Sequence, residues 1–315
     1  MESVASKSHN FVHDRIKEEY LCVEITEKRV LEEYFRENDS FLHAYEIGDL
    51  DDFFWPYTKW YSIQDISFHT KSICLVYRGT SLPVLLAFGS NAAYGKELLK
   101  KLVESAILPN KFYSHLSVGF RTALEFNYQA DDHGRYWKMG LTDNSKVEQV
   151  DTKNAVQLMP TDFSLIQQFY DEHYPGNWFD QRMLDSLQTF GIFASSEDDV
   201  RCYSYSGDSD KNSVNTAGVV GRTDSRGALI AIAGIHVFSR NYRVASLGNI
   251  AVHSLYRGKG LARCVTAALV KSLLNEGVQL IGLNVSGDNA AAISCYRKLG
   301  FEKVGEYDEI MWNRF

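Results

Sequence analysis

The chain has 315 residues, of which 45% are hydrophobic and 23% charged, a balance that supports a sizeable core and excludes a mostly disordered or fibrous chain. The length is about twice that of a typical domain, so two domains are expected. A formal charge of −7 argues against a general nucleic-acid or anionic-membrane surface and leaves room for a small basic pocket.

The first residues, Met1 to Asn10, lack the apolar stretch of a signal peptide. Cys22, Cys74, Cys202, Cys264 and Cys295 form no C-x-x-C pair, which reads as reduced thiols and no local zinc site. The longest apolar run, residues 228–238, is interrupted by His236 and is too short to span a bilayer. A soluble, cytoplasmic protein is expected.

In chain order, residues 15–36 place Val30, Leu31 and Tyr34 at helical spacing among charges, the pattern of a surface helix. Residues 72–77 and 83–88 are β-rich runs joined by Arg78-Gly-Thr-Ser, a hairpin signal. Residues 95–107 carry Leu98, Leu99, Leu102, Val103 and Ile107 on one stripe and predict a helix. Before it, Gly89-Ser-Asn-Ala-Ala-Tyr-Gly95 echoes a phosphate loop. Its glycines are too far apart for a P-loop, and Glu97 stands where Ser or Thr is required. Residues 131–155 are polar and rich in Asp, Asn, Lys and Gly. The boundary is placed there, giving an α/β domain over 1–150 and a second domain over 151–315.

In the second half, residues 155–158 read as a strand, and Thr161 or Asp162 as the N-cap of a helix. A further helix over 179–187 and a strand over 191–194 follow. Residues 195–227 hold Ser, Asp, Asn and Gly without period, a long loop. Strands 228–238 and 244–252 flank an Arg240-Asn-Tyr turn. A helix over 261–275, with Leu261, Val265, Ala268, Leu269 and Leu273 on one face, ends at Gly277. Strand 278–285 precedes a helix over 289–299 that Gly300 stops. This order is a βαβ crossover and predicts an α/β (α+β) fold, a mixed central sheet flanked by helices.

Between strand 244–252 and helix 261–275 lies Arg257-Gly-Lys-Gly-Leu-Ala262. Two glycines allow a tight turn that exposes backbone N–H groups, the helix adds its positive dipole end, and Arg257 and Lys259 add charge. These features suit a pyrophosphate. No Ser or Thr follows Lys259, which excludes a P-loop, and Arg263 stands where a dinucleotide fingerprint needs its third glycine.

The loop resembles the coenzyme A loop of the GNAT acyltransferase superfamily, Arg/Gln-x-x-Gly-x-Gly/Ala, with Gly260 and Ala262 in the small positions. Downstream, Asn289, Ala292, Tyr296, Gly300 and Phe301 resemble that superfamily's N-x-x-A-x-x-x-Y-x-x-x-G-F signature. The resemblance covers roughly residues 155–315. A motif-bearing domain at the C-terminus is similar to glycine N-acyltransferase-like proteins, and it implies that the first domain is an α/β unit, in one reading a degenerate GNAT copy. The implied activity is acyl-CoA-dependent N-acyl transfer, most simply N-acetylation. Acetyl-CoA or another acyl-CoA would be the cosubstrate, with a small amine or amino acid as acceptor and no metal. A non-catalytic acyl-CoA sensor or scaffold is the alternative.

By the same resemblance, Arg257, Gly258, Lys259, Gly260, Leu261 and Ala262 hold the pyrophosphate. Ile250, Ala251 and Val252 pair with the pantetheine arm, and a splay from strand 278–285 frees an N–H near Val252 for the thioester oxygen. Asn289 also contacts pantetheine. Tyr296 is the candidate proton donor to the CoA thiolate, since a phenol pKa of about 10 lies close to that of a thiol. No carboxylate lies on strand 244–252. His236 and His253 are base candidates by residue type, and Asn249, Asn284 and Ser286 are candidates to order a relay water. The aromatic turn from Tyr174 to Phe179 reads as either an acceptor contact or a hydrophobic staple.

Overall fold

A computed structural model describes residues 20–194 and 226–315. The described strands form a twelve-stranded sheet. The first six are β1 (Leu21–Ile25), β2 (Thr58–Gln64), β3 (Thr70–Tyr77), β4 (Val84–Ala87), β5 (Lys111–Ser117) and β6 (Tyr128–Leu141). The second six are β7 (Ala155–Gln157), β8 (Phe190–Phe193), β9 (Leu229–Ser239), β10 (Val244–Val252), β11 (Leu280–Ser286) and β12 (Phe301–Arg314).

Their order is β1-β2-β3-β4-β5-β12-β6-β11-β10-β9-β8-β7. Two series of the same design therefore meet head to head, with their last strands exchanged. In each series the fourth and fifth strands run parallel, β4 with β5 and β10 with β11. The crossover helix that parallel pairing demands follows the fourth strand both times, as α3 (Ala92–Glu104) and α6 (Leu261–Asn275).

The pleat sorts side chains to two faces. On β9, Ala231, Ala233 and Ile235 join the core under α6, while Ile232 joins the core under α5 (Phe163–His173). The α6 face also carries α4 (Ser145–Glu148) and α7 (Ala290–Lys298). On the opposite face, α1 (Lys28–Glu37) and α2 (Ala44–Gly48) come from the first series but reach the second. Ala44 and Ile47 of α2 share a core with Val244 of β10 and Leu280 of β11.

The 72–77/83–88 hairpin, the helix over 261–275 and strand 244–252 lie where the sequence places them. Other expectations need correction. Residues 21–25 are a strand inside the expected first helix, because the alternating Leu21-Cys-Val-Glu-Ile25 run pairs with β2. The polar stretch after residue 131 is mostly the long strand β6. Residues 131–135 pair with β12 alone and are exposed, so polar side chains there cost the backbone ladder nothing. From Tyr136 it also pairs with β11 and becomes buried. Residues 181–186 form a 3-10 helix rather than an α-helix. Residues 301–314, which carry no period-2 apolar pattern, form a central strand. The loop expected over 195–227 lies almost wholly outside the described residues. Among them, no helix is long and apolar enough to cross a membrane.

Candidate functional site

The loop after β10 has the geometry its glycines suggest. Gly258 and Gly260 both adopt positive φ, +78° and +81°, and a Cβ at either would meet nothing within 4 Å. Gly260 is the N-cap of α6, whose first turn holds no acidic residue. The first N–H groups of α6 therefore face open space with the helix dipole behind them, a fit for an anion. The Arg257 guanidinium donates to the Val252 carbonyl (3.2 Å), and the Lys259 ammonium lies 4.9 Å from the Tyr256 ring. Alongside, a groove of about 710 Å³ is lined by Arg263, Arg297, Lys298 and Lys146 around Trp137.

Upstream, β10 is irregular. Its pairing with β11 ends at Leu247↔Leu283, and its pairing with β9 shifts register between Gly248 and Ala251. Between Leu247 and Val252 the edge of β10 facing β11 thus has no strand partner, which is the splay the resemblance implies. Asn249 sits in the bulge at φ +55°, a left-handed conformation that Asn tolerates better than most non-glycine residues. Three contacts hold it there. The Tyr170 hydroxyl donates to its carbonyl (2.7 Å), Asn177 Nδ2 donates to its Oδ1 (3.3 Å), and its own Nδ2 reaches Met183 Sδ (3.4 Å). Tyr170 and Met183 were not legible as site residues, since nothing local ties them to residue 249.

His236 borders this bulge. Its ring lies across Gly248, where a Cβ would come within 1.4 Å of it. Burial pulls its pKa down to about 4, against a side-chain hydrogen bond with Asn249 that raises it, so the imidazole is neutral at pH 7. Trp178 and Tyr45 pack around it at 5.9 and 6.2 Å, and beyond it opens a cavity of about 230 Å³ that includes Phe53, Phe54 and Arg182. His253 is committed elsewhere. Its Nδ1 accepts the Leu255 N–H (3.2 Å), and its ring rests on His173 at 4.0 Å.

Tyr296 lies on α7, 8% exposed and edge-on to Phe301. Its hydroxyl makes no hydrogen bond among the described residues. Burial, then Cys295 and Tyr174, push its pKa above the ordinary phenol value, so it stays protonated at neutral pH. Asn289 has a structural duty that the resemblance does not mention: it caps α7, its Oδ1 accepting the Ala292 N–H at 3.0 Å. Its amide nitrogen is left for other contacts.

The Gly89–Gly95 echo differs physically. Neither glycine has positive φ. Gly95 lies inside α3, where a Cβ would come within 2.1 Å of the Phe120 ring. Asn91 Oδ1 already accepts the N–H groups of Ala93 and Tyr94. The loop is a capped, packed helix start.

Residues 168–301 match the Acetyltransferase (GNAT) family. Residues 168–301 are a GNAT-family domain. The chain is similar to the mycothiol acetyltransferase of Corynebacterium jeikeium, 52% identical over 48 residues, or 15% of this chain and 14% of that protein. It is also similar to the [ribosomal protein bS18]-alanine N-acetyltransferase of Escherichia coli, 42% identical over 60 residues, or 19% of this chain and 40% of that protein. The matched segments thus span less than half of either relative. Among solved structures, a tandem GNAT protein from the clavulanic acid biosynthesis pathway aligns over 93% of this chain and 98% of its own, with TM-score 0.51 and 13% identity. The GNAT fold therefore extends over most of the chain, and the GNAT half carries the positive-φ loop, the bulge and Tyr296. Among the described residues no cluster of metal-ligating side chains occurs.

Changing Gly260 to Asp is expected to weaken acetyl-CoA binding by about tenfold or more. The carboxylate would stand at the helix N-terminus and oppose the pyrophosphate, and each 1.4 kcal/mol of lost stabilisation is a factor of about ten. Asp tolerates positive φ better than most residues, so the fold should survive. Calorimetry giving unchanged affinity in the folded variant would sink the loop assignment.

Proposed function

We propose that the protein is an N-acyltransferase that moves an acyl group, most simply acetyl, from CoA to a primary amine, and that the chain consists of two GNAT-type halves joined near residue 150. The β10 bulge beside the positive-φ loop carries this reading. It combines an unpaired strand edge with an anion-binding helix start in one line of chain, from Asn249 to Ala262.

Acyl-CoA would supply an activated thioester carbonyl. The loop from Arg257 to Ala262 would hold its pyrophosphate, and the basic groove at Arg263, Arg297 and Lys298 suits the remaining charge of the nucleotide end. Ile250, Ala251 and Val252 would pair with the pantetheine arm, and the unpaired edge would present an N–H to the thioester oxygen. The amide nitrogen of Asn289 would contact the same arm. As the amine nitrogen bonds to the acyl carbon and the carbon–sulfur bond breaks, Tyr296 would return a proton to the departing thiolate. A cytoplasmic location suits the free cysteines Cys22, Cys74, Cys264 and Cys295. The relatives named above are a mycothiol acetyltransferase and a ribosomal-protein alanine N-acetyltransferase, so the acceptor is left at the level of an amine.

The test is thiol release on mixing the protein with a matrix of acyl-CoAs and amines. Amine-dependent release that needs Tyr296 supports the reading. Tight acetyl-CoA binding without release for any pair would favour the sensor alternative.

A further inference from the structure

A second cluster lies on the α2 face of the sheet, on strands that the exchange brings to its centre. Glu309 of β12 stands between His115 of β5 and Gly134 of β6. Gly134 has no side chain, and a Cβ there would meet nothing within 4 Å, so the space beside the carboxylate is open. The Tyr113 hydroxyl donates to Glu309 Oε1, the Tyr307 hydroxyl reaches Oε2 at 3.5 Å, and His115 Nε2 lies 3.7 Å from Oε2. Tyr136 stacks on Tyr307 at 5.5 Å.

No permanent cation is hydrogen-bonded to the Glu309 carboxylate among the described residues, although His133, 3.3 Å from the Tyr113 hydroxyl, also acts on it. Burial first, then Lys138, depress His115 to about 3, so its ring is neutral at pH 7. Among the described residues no lysine or arginine pairs with Glu309, whose side chain is 14% exposed. The adjacent Asp308, by contrast, is held by Arg135 at 2.9 Å. A largely buried carboxylate without a counter-ion is costly, and here burial raises the Glu309 pKa above its ordinary value. Phenol rings around a carboxylate are the surroundings that stabilise an ammonium group, by charge and by ring faces.

We propose that Glu309, framed by Tyr113, Tyr136, Tyr307 and His115, is the acceptor-ammonium site, binding the primary amine in its protonated form and removing one proton. An N–H bond of the ammonium breaks, the electron pair stays on nitrogen, and the proton passes to a Glu309 oxygen and from there to water. The neutral amine is then the nucleophile that the bulge of β10 requires. This rests on the acyl-transfer reading above for its purpose, though not for its binding step. It also accounts for the missing carboxylate on β10: the base comes from the exchanged strand β12.

Three forms of the full chain test it: the parent, Glu309→Gln and Glu309→Asp. Gln is nearly isosteric and can still accept from Tyr113; Asp keeps the charge. Titration of each form, free of CoA, with 2-phenylethylamine hydrochloride should show affinity falling by about tenfold or more in Gln and largely restored in Asp, with acetyl-CoA affinity unchanged. In turnover, Glu309→Gln should lower kcat/KM for 2-phenylethylamine by about a hundredfold. It should spare 2,2,2-trifluoroethylamine, which is already neutral at pH 7 and needs no base. Equal amine affinity in parent and Gln forms, or equal loss with both amines, overturns the assignment, and so does a parent that binds no amine. If Glu309-dependent binding is seen but no amine is ever acylated, the ammonium site stands and the acyl-transfer reading fails.

Discussion

A chain of residues 151–315 alone is expected to show no cooperative thermal transition, although it contains the whole family match. Strand β6, removed by such a cut, pairs with β11 from Gly282↔Gly140 to Ser286↔Tyr136 and with β12 along most of its length. Met139, Leu141 and Val147 belong to the core under α6, and burying each such side chain contributes roughly 1.5–3 kcal/mol. The cut also strips α2 from Val244 and Leu280 and removes both neighbours of β12. Losses of this size match or exceed the 5–15 kcal/mol that typically separates folded from unfolded chains. The exposed edges of β11 and β12 would also invite aggregation. Starting the chain at residue 127 instead keeps β6 and should recover part of the transition. Near-UV circular dichroism and calorimetry on the two lengths decide it. A cooperatively folding 151–315 chain would show that the exchanged strand is dispensable.

The Tyr296→Phe variant is expected to lose roughly ten- to a thousandfold in kcat, the range of general-acid contributions, with acetyl-CoA affinity nearly unchanged. The substitution keeps the ring against Phe301 and leaves no orphaned partner, since the hydroxyl donates to nothing among the described residues. Stability should shift by less than about 1 kcal/mol. Burial raises the phenol pKa, so the donor form persists through neutral and alkaline pH, and the parent should not lose activity there through Tyr296. Stopped-flow or steady-state thiol release beside a melting curve separates the outcomes. Equal turnover in a stable variant would make Tyr296 a core residue only.

What the sequence determined by itself was the part written in short-range terms. The loop from Arg257 to Ala262 was legible because positive-φ glycines, a helix start and nearby cations all lie within six residues. Helix α6 was legible to its ends because its apolar period and the Gly277 stop are local. Tyr296 and Asn289 were singled out by a family resemblance carried on one short stretch, residues 289–301. The tertiary structure alone decided the rest. That β6 and β12 change places is a matter of pairing between residues far apart in the chain, such as Asn313 with Lys111 and Arg314 with Tyr128, and no local pattern encodes it. Those strands read as polar or patternless because each owes its burial to a partner strand rather than to its own alternation. The left-handed backbone at Asn249 is held by Tyr170, Asn177 and Met183, which arrive from three separate segments. Glu309, unremarkable among forty acidic residues, acquires its surroundings only when the exchange sets Tyr113 and His115 of β5 and Tyr136 of β6 around it.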